Sequence, residues 1–216
     1  MNYTYMNNNA IDYSHAPYNQ TYLSKLADIT HLALERHRRS MAVILILRLP
    51  EYRDMGDTLH CIPNIERGLM SRFIDSLKAK IQALKTRKEK RGLRVHSSTL
   101  HYAWVRELSQ DGKPHYHAVL FVNNDTFASL GHFTREGDNL GSLIQEAWCS
   151  ALALQPASEY HTLVHFPQNP LYYLNINASD FENVHDSLMF RLSYFAKERS
   201  KAYSRAERSF GCSQRR

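Results

Sequence analysis

Residues 106–122 read RELSQDGKPHYHAVLFV, and this pattern predicts a β-hairpin. The segment SQDGKP contains an Asp-Gly pair followed by Pro114, and these residue types favour a tight turn. An apolar run follows the turn, as expected for a strand that returns into a sheet core. We therefore predict paired strands over roughly residues 94–107 and 115–122.

The segments outside this hairpin predict an α+β fold with an antiparallel sheet and flanking helices. Upstream lie a leucine-rich helical pattern over residues 21–39, a β-branched strand pattern that ends at Pro50, and a long amphipathic helix after Asn64. Downstream lie a helix over 139–154, two short apolar stretches of which at least one should be a strand, and a last helix over about 180–202. This order favours helices packed on a mainly antiparallel sheet.

The length of 216 residues fits one domain with short appendages. Residues 1–20 are rich in Asn and Tyr and have no periodicity, so they predict a flexible N-terminal arm. The domain itself is expected over residues 21–202, including the first helix. Residues 203–216 are expected to form a basic C-terminal tail.

The composition predicts a cytoplasmic protein with no membrane association. The apolar run around Ala42–Leu47 is far too short to span a bilayer, and the N-terminus has no basic segment followed by an apolar one. The three cysteines are scattered and form no CxxC pair, which favours reduced thiols over disulfides or a zinc ribbon.

Two basic segments indicate a polyanionic partner. Net charge is +6, and residues 64–94 hold ten Lys and Arg against three acids, while residues 197–216 hold seven against two. Such clusters are typical of nucleic-acid contacts through phosphates, although a solvated helix face and a solubilising tail would produce the same pattern. The candidate DNA contacts are Lys85, Arg87, Lys88 and Lys201 in these segments, together with Arg191 shortly before the second one.

His115 and His117 form a candidate metal site. Residues two apart in a strand point to the same face, so the two imidazoles can share one ion. Glu107 lies on the neighbouring predicted strand and supplies a carboxylate within reach. An H-x-H pair also arises by chance in a chain with twelve histidines, so a structural role for the pair stays open.

Tyr194 is the candidate nucleophile. It is displaced from the apolar stripe of the last predicted helix, and Lys197 and Arg191 lie three residues away on either side. A phenol oxygen beside a cation is a better nucleophile. An amphipathic tyrosine at the surface of the domain is the alternative interpretation.

Together these features resemble the HUH endonuclease superfamily, the rolling-circle replication initiators. The residues that carry the resemblance are E-x7-H-Y-H before an apolar strand and Y-x-x-K on a C-terminal helix. The segments KPHYH, HFPQNPLYYLN, RLSYFAK and RSFGC more closely resemble the inovirus-type replication proteins and the YagK/YfjJ C-terminal-domain family. The resemblance covers about residues 40–212.

The resemblance implies a fold, a reaction and a role for each matched residue. The fold would be a sheet of about five antiparallel strands with flanking helices. Glu107, His115 and His117 would hold Mg²⁺ or Mn²⁺, Tyr194 would attack DNA, and Lys197 would position the phosphate or the ion. Phe190 replaces a second tyrosine found one turn earlier in many relatives, so a single-tyrosine enzyme is implied.

The expected substrate is single-stranded DNA at a phage or prophage replication origin, such as an extruded hairpin. The chain contains no G-x-x-x-x-G-K-[ST] motif, so unwinding is expected from a separate helicase. Alternatives are a non-cleaving DNA-binding regulator of the same fold, a transposase or relaxase of the superfamily, and a hydrolase of small phosphoesters.

Overall fold

A six-stranded antiparallel sheet runs through the chain in the computed structural model, which describes residues 11–50, 62–132, 137–155, 157–201, 203–204 and 207–215. Within these residues, four α-helices are separated by single strands or by pairs of consecutive strands, and a last strand follows the fourth helix. Their bounds are α1 Gln20–Arg36, β1 Arg39–Arg48, α2 Leu69–Lys90, β2 His101–Leu108, β3 Pro114–Asn123, α3 Leu140–Ala151, β4 Val164–His165, β5 Leu171–Asn175, α4 Phe181–Ser193 and β6 Phe210–Cys212. The predicted α+β class is therefore confirmed.

The strand order is β4-β1-β3-β2-β6, and β5 also pairs with β1. Strands β2 and β3 form the predicted hairpin, in which Glu107 lies directly opposite His115, but β2 begins at His101 and not near residue 94. The turn is closed by a 2.9 Å hydrogen bond from the Ser109 amide to the Lys113 carbonyl, and Gly112 adopts φ +73°. A left-handed backbone of this kind favours glycine, which explains the Asp-Gly pair.

The sheet has six strands where about five were expected, and β6 was not predicted as a strand. This three-residue strand lies in the predicted basic tail and pairs antiparallel with β2. A Cβ at Gly211 would lie 2.5 Å from the Trp104 ring, so only glycine allows this approach. Three residues are too few for a periodicity signal, and pairing to β2 makes the segment extended.

Contacts divide the chain, including the span predicted as one domain, into two compact units. The first contains residues up to 46, residues 97–128 and the chain from 166 onward, and the second contains residues 47–96 and 129–165. In the first unit, buried side chains of α1, α4 and the sheet form one hydrophobic cluster. It includes Leu26, Ile44, Val105, Phe121 and Leu192.

In the second unit, α2 packs on α3. The rings of Phe73 and Trp148 meet edge to face, with centroids 5.6 Å apart. The Trp148 indole donates a 2.8 Å hydrogen bond to the Arg48 carbonyl, so this buried polar group is satisfied. Lys80 and Glu146 form a half-buried ion pair at 3.0 Å.

The segment predicted as a flexible arm is described only from Ile11 onward. Tyr13–His15 form a short 3-10 helix whose cap is Asp12, and backbone hydrogen bonds join Asn19 to Ala196 and Glu198 to Pro17. Residues 11–19 thus have defined partners in the first unit. Across the described residues, no helix is both long and apolar enough to cross a membrane.

Candidate active site

Glu107, His115 and His117 converge on one face of the β2–β3 hairpin. The Nε2 atoms of the two histidines are 3.2 Å apart, and Nε2 of His117 lies 3.6 Å from Oε2 of Glu107. One ligand atom from each of the three residues falls within 4.8 Å of the others. The predicted geometry is therefore present, and the three side chains form a possible metal-binding group.

Two lysines and a serine surround the carboxylate of Glu107, whose exposed fraction is only 2%. Lys201 contacts Oε1 at 2.5 Å, and Lys197 contacts Oε2 at 3.1 Å. The Ser200 hydroxyl donates to Oε2 at 3.0 Å. Both ammonium groups are nearly inaccessible, with side-chain exposures of 7% for Lys197 and 0% for Lys201.

The backbone places these partners through contacts distant in sequence. Lys201 forms a β-bridge with Glu107, and the Leu108 amide donates to the Ser200 carbonyl at 3.1 Å. Ser200 adopts φ +78°, a left-handed conformation that is uncommon for a residue with a side chain. Such strain is retained where the surroundings over-determine it, and here the bridge and the Glu107 hydrogen bond do so.

Burial and charge set the protonation of the site. Burial lowers the pKa of His117 to about 4, an effect that the Glu107 charge opposes and that His115, Lys197 and Lys201 reinforce. Burial by itself would raise the pKa of Glu107, but the hydrogen bond and charge of Lys201, with His117 and Lys197, lower it. His117 is thus neutral at physiological pH, which is the form that binds metals.

The residues present therefore fit a divalent ion. Two imidazoles and one carboxylate leave several coordination positions open, as in catalytic sites. Oε2 of Glu107 is the oxygen that faces His117, while Oε1 is held by Lys201. Oε2 could therefore serve as a ligand without displacing Lys201, and it would do so beside its existing contacts with Lys197 and the Ser200 hydroxyl.

Tyr194 lies beside this group. Its ring is edge to face with that of His117, with centroids 5.7 Å apart, and Nζ of Lys197 lies 3.4 Å from its centroid. Lys197 therefore contacts both Tyr194 and Glu107. The predicted last helix is shorter than expected, because α4 ends at Ser193 and Tyr194 begins a 3-10 turn.

Residues 12–18 contact Tyr194 and its neighbours in the chain. The His15 ring meets the Tyr194 ring edge to face at 4.9 Å between centroids. Tyr18 forms a β-bridge with Lys197, and the Asp12 amide donates to the Ser193 hydroxyl at 3.1 Å. Residues on both sides of Tyr194 are thus held by a segment more than 170 positions earlier in the chain.

The structure places the predicted DNA contacts in three different settings. Lys201 is buried against Glu107, so its ammonium group does not lie on the surface. Arg191 lies on α4 and donates to the carbonyls of Gln168 and Asn169 at 3.0 and 3.2 Å. The remaining three lie in the second unit on the last turns of α2: Lys85, Arg87 and Lys88, of which Arg87 pairs with Asp138 at 2.5 Å.

Sequence reasoning missed two neighbours of the site, His15 and Ser200, and it did not identify the contact of Lys201 with Glu107. No local signal marks the first two. Lys201 was assigned to DNA because it belongs to a basic segment, yet it lies four residues after Lys197 and could have been considered as a second partner of Glu107.

Comparison with known proteins identifies relatives along nearly the whole chain. The model of the YagK/YfjJ C-terminal domain matches residues 1–213. The uncharacterized protein YagK of Escherichia coli (strain K12) is 39% identical over 193 residues, which cover 89% of this chain and 92% of YagK. The uncharacterized protein YfjJ of the same strain is 35% identical over 194 residues, covering 89% and 93% of the two chains.

The chain therefore belongs to the YagK/YfjJ C-terminal domain family. No solved structure matches it.

Proposed function

We propose that this member of the YagK/YfjJ C-terminal domain family is a single-tyrosine nicking and joining endonuclease of the HUH type. Its substrate would be single-stranded DNA, and its biological task the initiation of rolling-circle replication at a phage or prophage origin. The observation that carries the proposal is the position of Tyr194 beside the Glu107/His115/His117 group, with Lys197 in contact with both.

The charge of the site suits a phosphodiester. Glu107 contributes one negative charge and Lys197 and Lys201 contribute two positive charges, while His117 is neutral because burial lowers its pKa to about 4. A divalent ion held by His115, His117 and Glu107, for which we propose Mg²⁺ or Mn²⁺, would polarise a phosphate oxygen. An excess of positive charge favours the anionic backbone over neutral ligands.

In the proposed reaction the Tyr194 oxygen attacks phosphorus and loses its proton to solvent. A bond forms between that oxygen and phosphorus, the bond from phosphorus to the 3′-oxygen breaks, and the 3′-oxygen takes up a proton. The DNA is left joined to Tyr194 through its 5′-phosphate. A later 3′-hydroxyl reverses these steps and reseals a strand without ATP, since the phosphotyrosine keeps the energy of the phosphodiester bond.

Lys197 has two roles in this proposal. Its ammonium group lies over the Tyr194 ring and so holds the ring near His117. The same charge stabilises the negative phosphate during attack and the tyrosine oxygen when it leaves in the joining step. Strand unwinding would fall to a separate helicase.

Tyr203 is the nearest competing nucleophile. Its hydroxyl donates to Glu198 and accepts from Asn19, and burial together with the Glu198 hydrogen bond raises its pKa to about 12. A phenol held in its neutral form is a poor nucleophile. Tyr194 is therefore the proposed one.

The test is a covalent adduct whose polarity is read directly. A pool of random single-stranded oligonucleotides is labelled at either the 3′ or the 5′ end, incubated with the protein and Mn²⁺, and run on a denaturing gel. We expect the 3′ label to migrate with the protein and the 5′ label to leave on a shorter fragment. Tyr194→Phe should form no adduct, and Tyr203→Phe should form it at the wild-type level.

Adduct formation by Tyr194→Phe would assign the nucleophile elsewhere. Absence of any adduct with the wild-type protein would favour the second candidate, a non-cleaving DNA-binding protein. One observation favours that candidate: Lys197 and Lys201 already neutralise the Glu107 carboxylate without an ion. Titration of the protein with Mn²⁺ separates the two candidates, because only the endonuclease must bind the ion.

A further inference from the structure

A cavity of about 510 Å³ opens next to the candidate active site, between the sheet and α4. Its sheet side is formed by Ile44 and Ile46 of β1 and Tyr172 of β5, and its helix side includes Phe190 and Arg191. All of these residues belong to the first unit. The volume lies within the range of about 300–1,000 Å³ that small-molecule pockets occupy.

The lining combines flat apolar surfaces with a guanidinium group, and it also includes Asp12 and Ser187. Phe190 is 46% exposed although its ring is fully apolar, and it lies on α4 one turn before Tyr194. Arg191 is held by the carbonyls of Gln168 and Asn169, so its position is defined in the absence of a ligand. Aromatic rings and an arginine plane are the groups on which unpaired nucleobases stack.

The cavity is continuous with the site of the proposed reaction, because His117 and Tyr194 also line it. A phosphate beside Tyr194 would have its neighbouring nucleotide at the mouth of the cavity. Within duplex DNA that base is stacked and paired, so only a single strand could place it there. The cavity thus selects for the same unpaired DNA that the proposed reaction requires.

We propose that this cavity holds one unstacked base of single-stranded DNA, the base adjacent to the scissile phosphate, with Phe190 as its stacking surface. The inference rests on the proposed function for the identity of the substrate. It adds a base-binding site to the phosphate and metal contacts, and it assigns a role in binding to Phe190, the residue that replaces the second tyrosine in the resemblance described above.

The experiment compares natural and abasic DNA. A fluorescent 15-mer of mixed sequence and an abasic 15-mer with the same phosphates are titrated with the full chain in a Tyr194→Phe background, which prevents cleavage, and anisotropy is recorded. Phe190→Ala should weaken binding of the natural oligonucleotide about 5- to 150-fold, because stacking on one aromatic ring accounts for a change of that size. Binding of the abasic oligonucleotide should stay unchanged.

Two variants control for fold and for loss of any exposed ring. Tyr173→Ala removes an aromatic ring whose exposure, 48%, is similar to that of Phe190, and this ring lies on β5 next to Tyr172. The Tyr173→Ala variant should bind both oligonucleotides as the parent does. Phe190→Trp keeps a stacking surface and should retain most of the affinity for natural DNA. Unfolding curves of all variants should coincide within a few degrees.

Equal affinities of Phe190→Ala and its parent for natural DNA would overturn the cavity assignment. Equal losses on natural and abasic DNA would overturn it as well, because the effect would then concern phosphates or the fold. If wild-type protein forms the adduct in either of these cases, the proposed function stands and only the base site fails. If the wild type neither binds nor joins single-stranded DNA, both proposals are wrong.

Discussion

Replacement of Glu107 by glutamine should destabilise the protein even when no metal is present. The carboxylate is 2% exposed and lies 2.5 Å from Lys201 and 3.1 Å from Lys197. Glutamine has nearly the same shape but no charge, so both buried ammonium groups lose their counter-ion. Removal of one partner from a buried ion pair typically costs about 3–5 kcal/mol of unfolding free energy.

For a chain of this length, each kcal/mol lowers the melting temperature by about 2–4 °C, so we expect Glu107→Gln to melt roughly 6–20 °C below the wild type. The measurement is thermal unfolding followed by circular dichroism in a buffer with a chelator. The chelator excludes any contribution from a bound ion, so the difference reports the contacts that Glu107 makes within the protein, chiefly those with the two lysines.

A double-mutant cycle identifies the cause. Lys201→Met removes the buried cation and should cost less than Glu107→Gln, because Glu107 keeps Lys197 and Ser200 as partners. The double variant should be more stable than the sum of the two single changes predicts, since neither charge is then left without the other. A Glu107→Gln protein that melts within about 2 °C of the wild type would refute the argument that this carboxylate neutralises buried lysines.

Three further outcomes follow from the same site and from the basic helix. His115→Ala combined with His117→Ala should abolish Mn²⁺ binding in calorimetry, whereas wild-type protein should bind Mn²⁺ more tightly than Mg²⁺ because imidazole ligands suit the former better. The pKa of His117 falls from 6.5 to about 4 on folding, so the unfolded chain binds a proton at this residue before the folded protein does as pH decreases. The free energy of unfolding, measured in a buffer with a chelator, should therefore fall by about 3 kcal/mol between pH 6.5 and 4, and His117→Gln should lose that pH dependence. If Arg87 and Lys88 contact phosphates, their replacement by glutamine should reduce the slope of log affinity for single-stranded DNA against log salt by about 0.7 per lost contact.

The helix and strand pattern was predictable because local periodicity carries it. The hairpin over Glu107 and His115 has the expected turn and register, and the apolar stripes of α1, α2 and α3 lie where the 3.6-residue pattern indicates. Predictions were wrong where tertiary contacts set the local structure. The last helix ends at Ser193 because the following residues bond to the N-terminal segment and to Glu107 instead of continuing the helix.

The convergence of Glu107, His115 and His117 followed from sequence because its geometry is local. The two-residue period of a strand places His115 and His117 on one face, and a five-residue turn places Glu107 opposite, so no distant contact is needed. Tyr194 and Lys197 were recognised as a pair for a similar reason, their spacing of one turn.

Only the tertiary structure joined these two local patterns and completed the site. Whether Tyr194 lies near His117 depends on how α4 packs on the sheet, and no periodicity reports that. The burial of Lys201 also depends on contacts distant in sequence. Its sequence neighbourhood is basic and predicts a surface contact, but pairing of residues 200–201 with β2 buries its side chain against Glu107. A buried carboxylate requires counter-charges, and the fold alone determines which cations reach it.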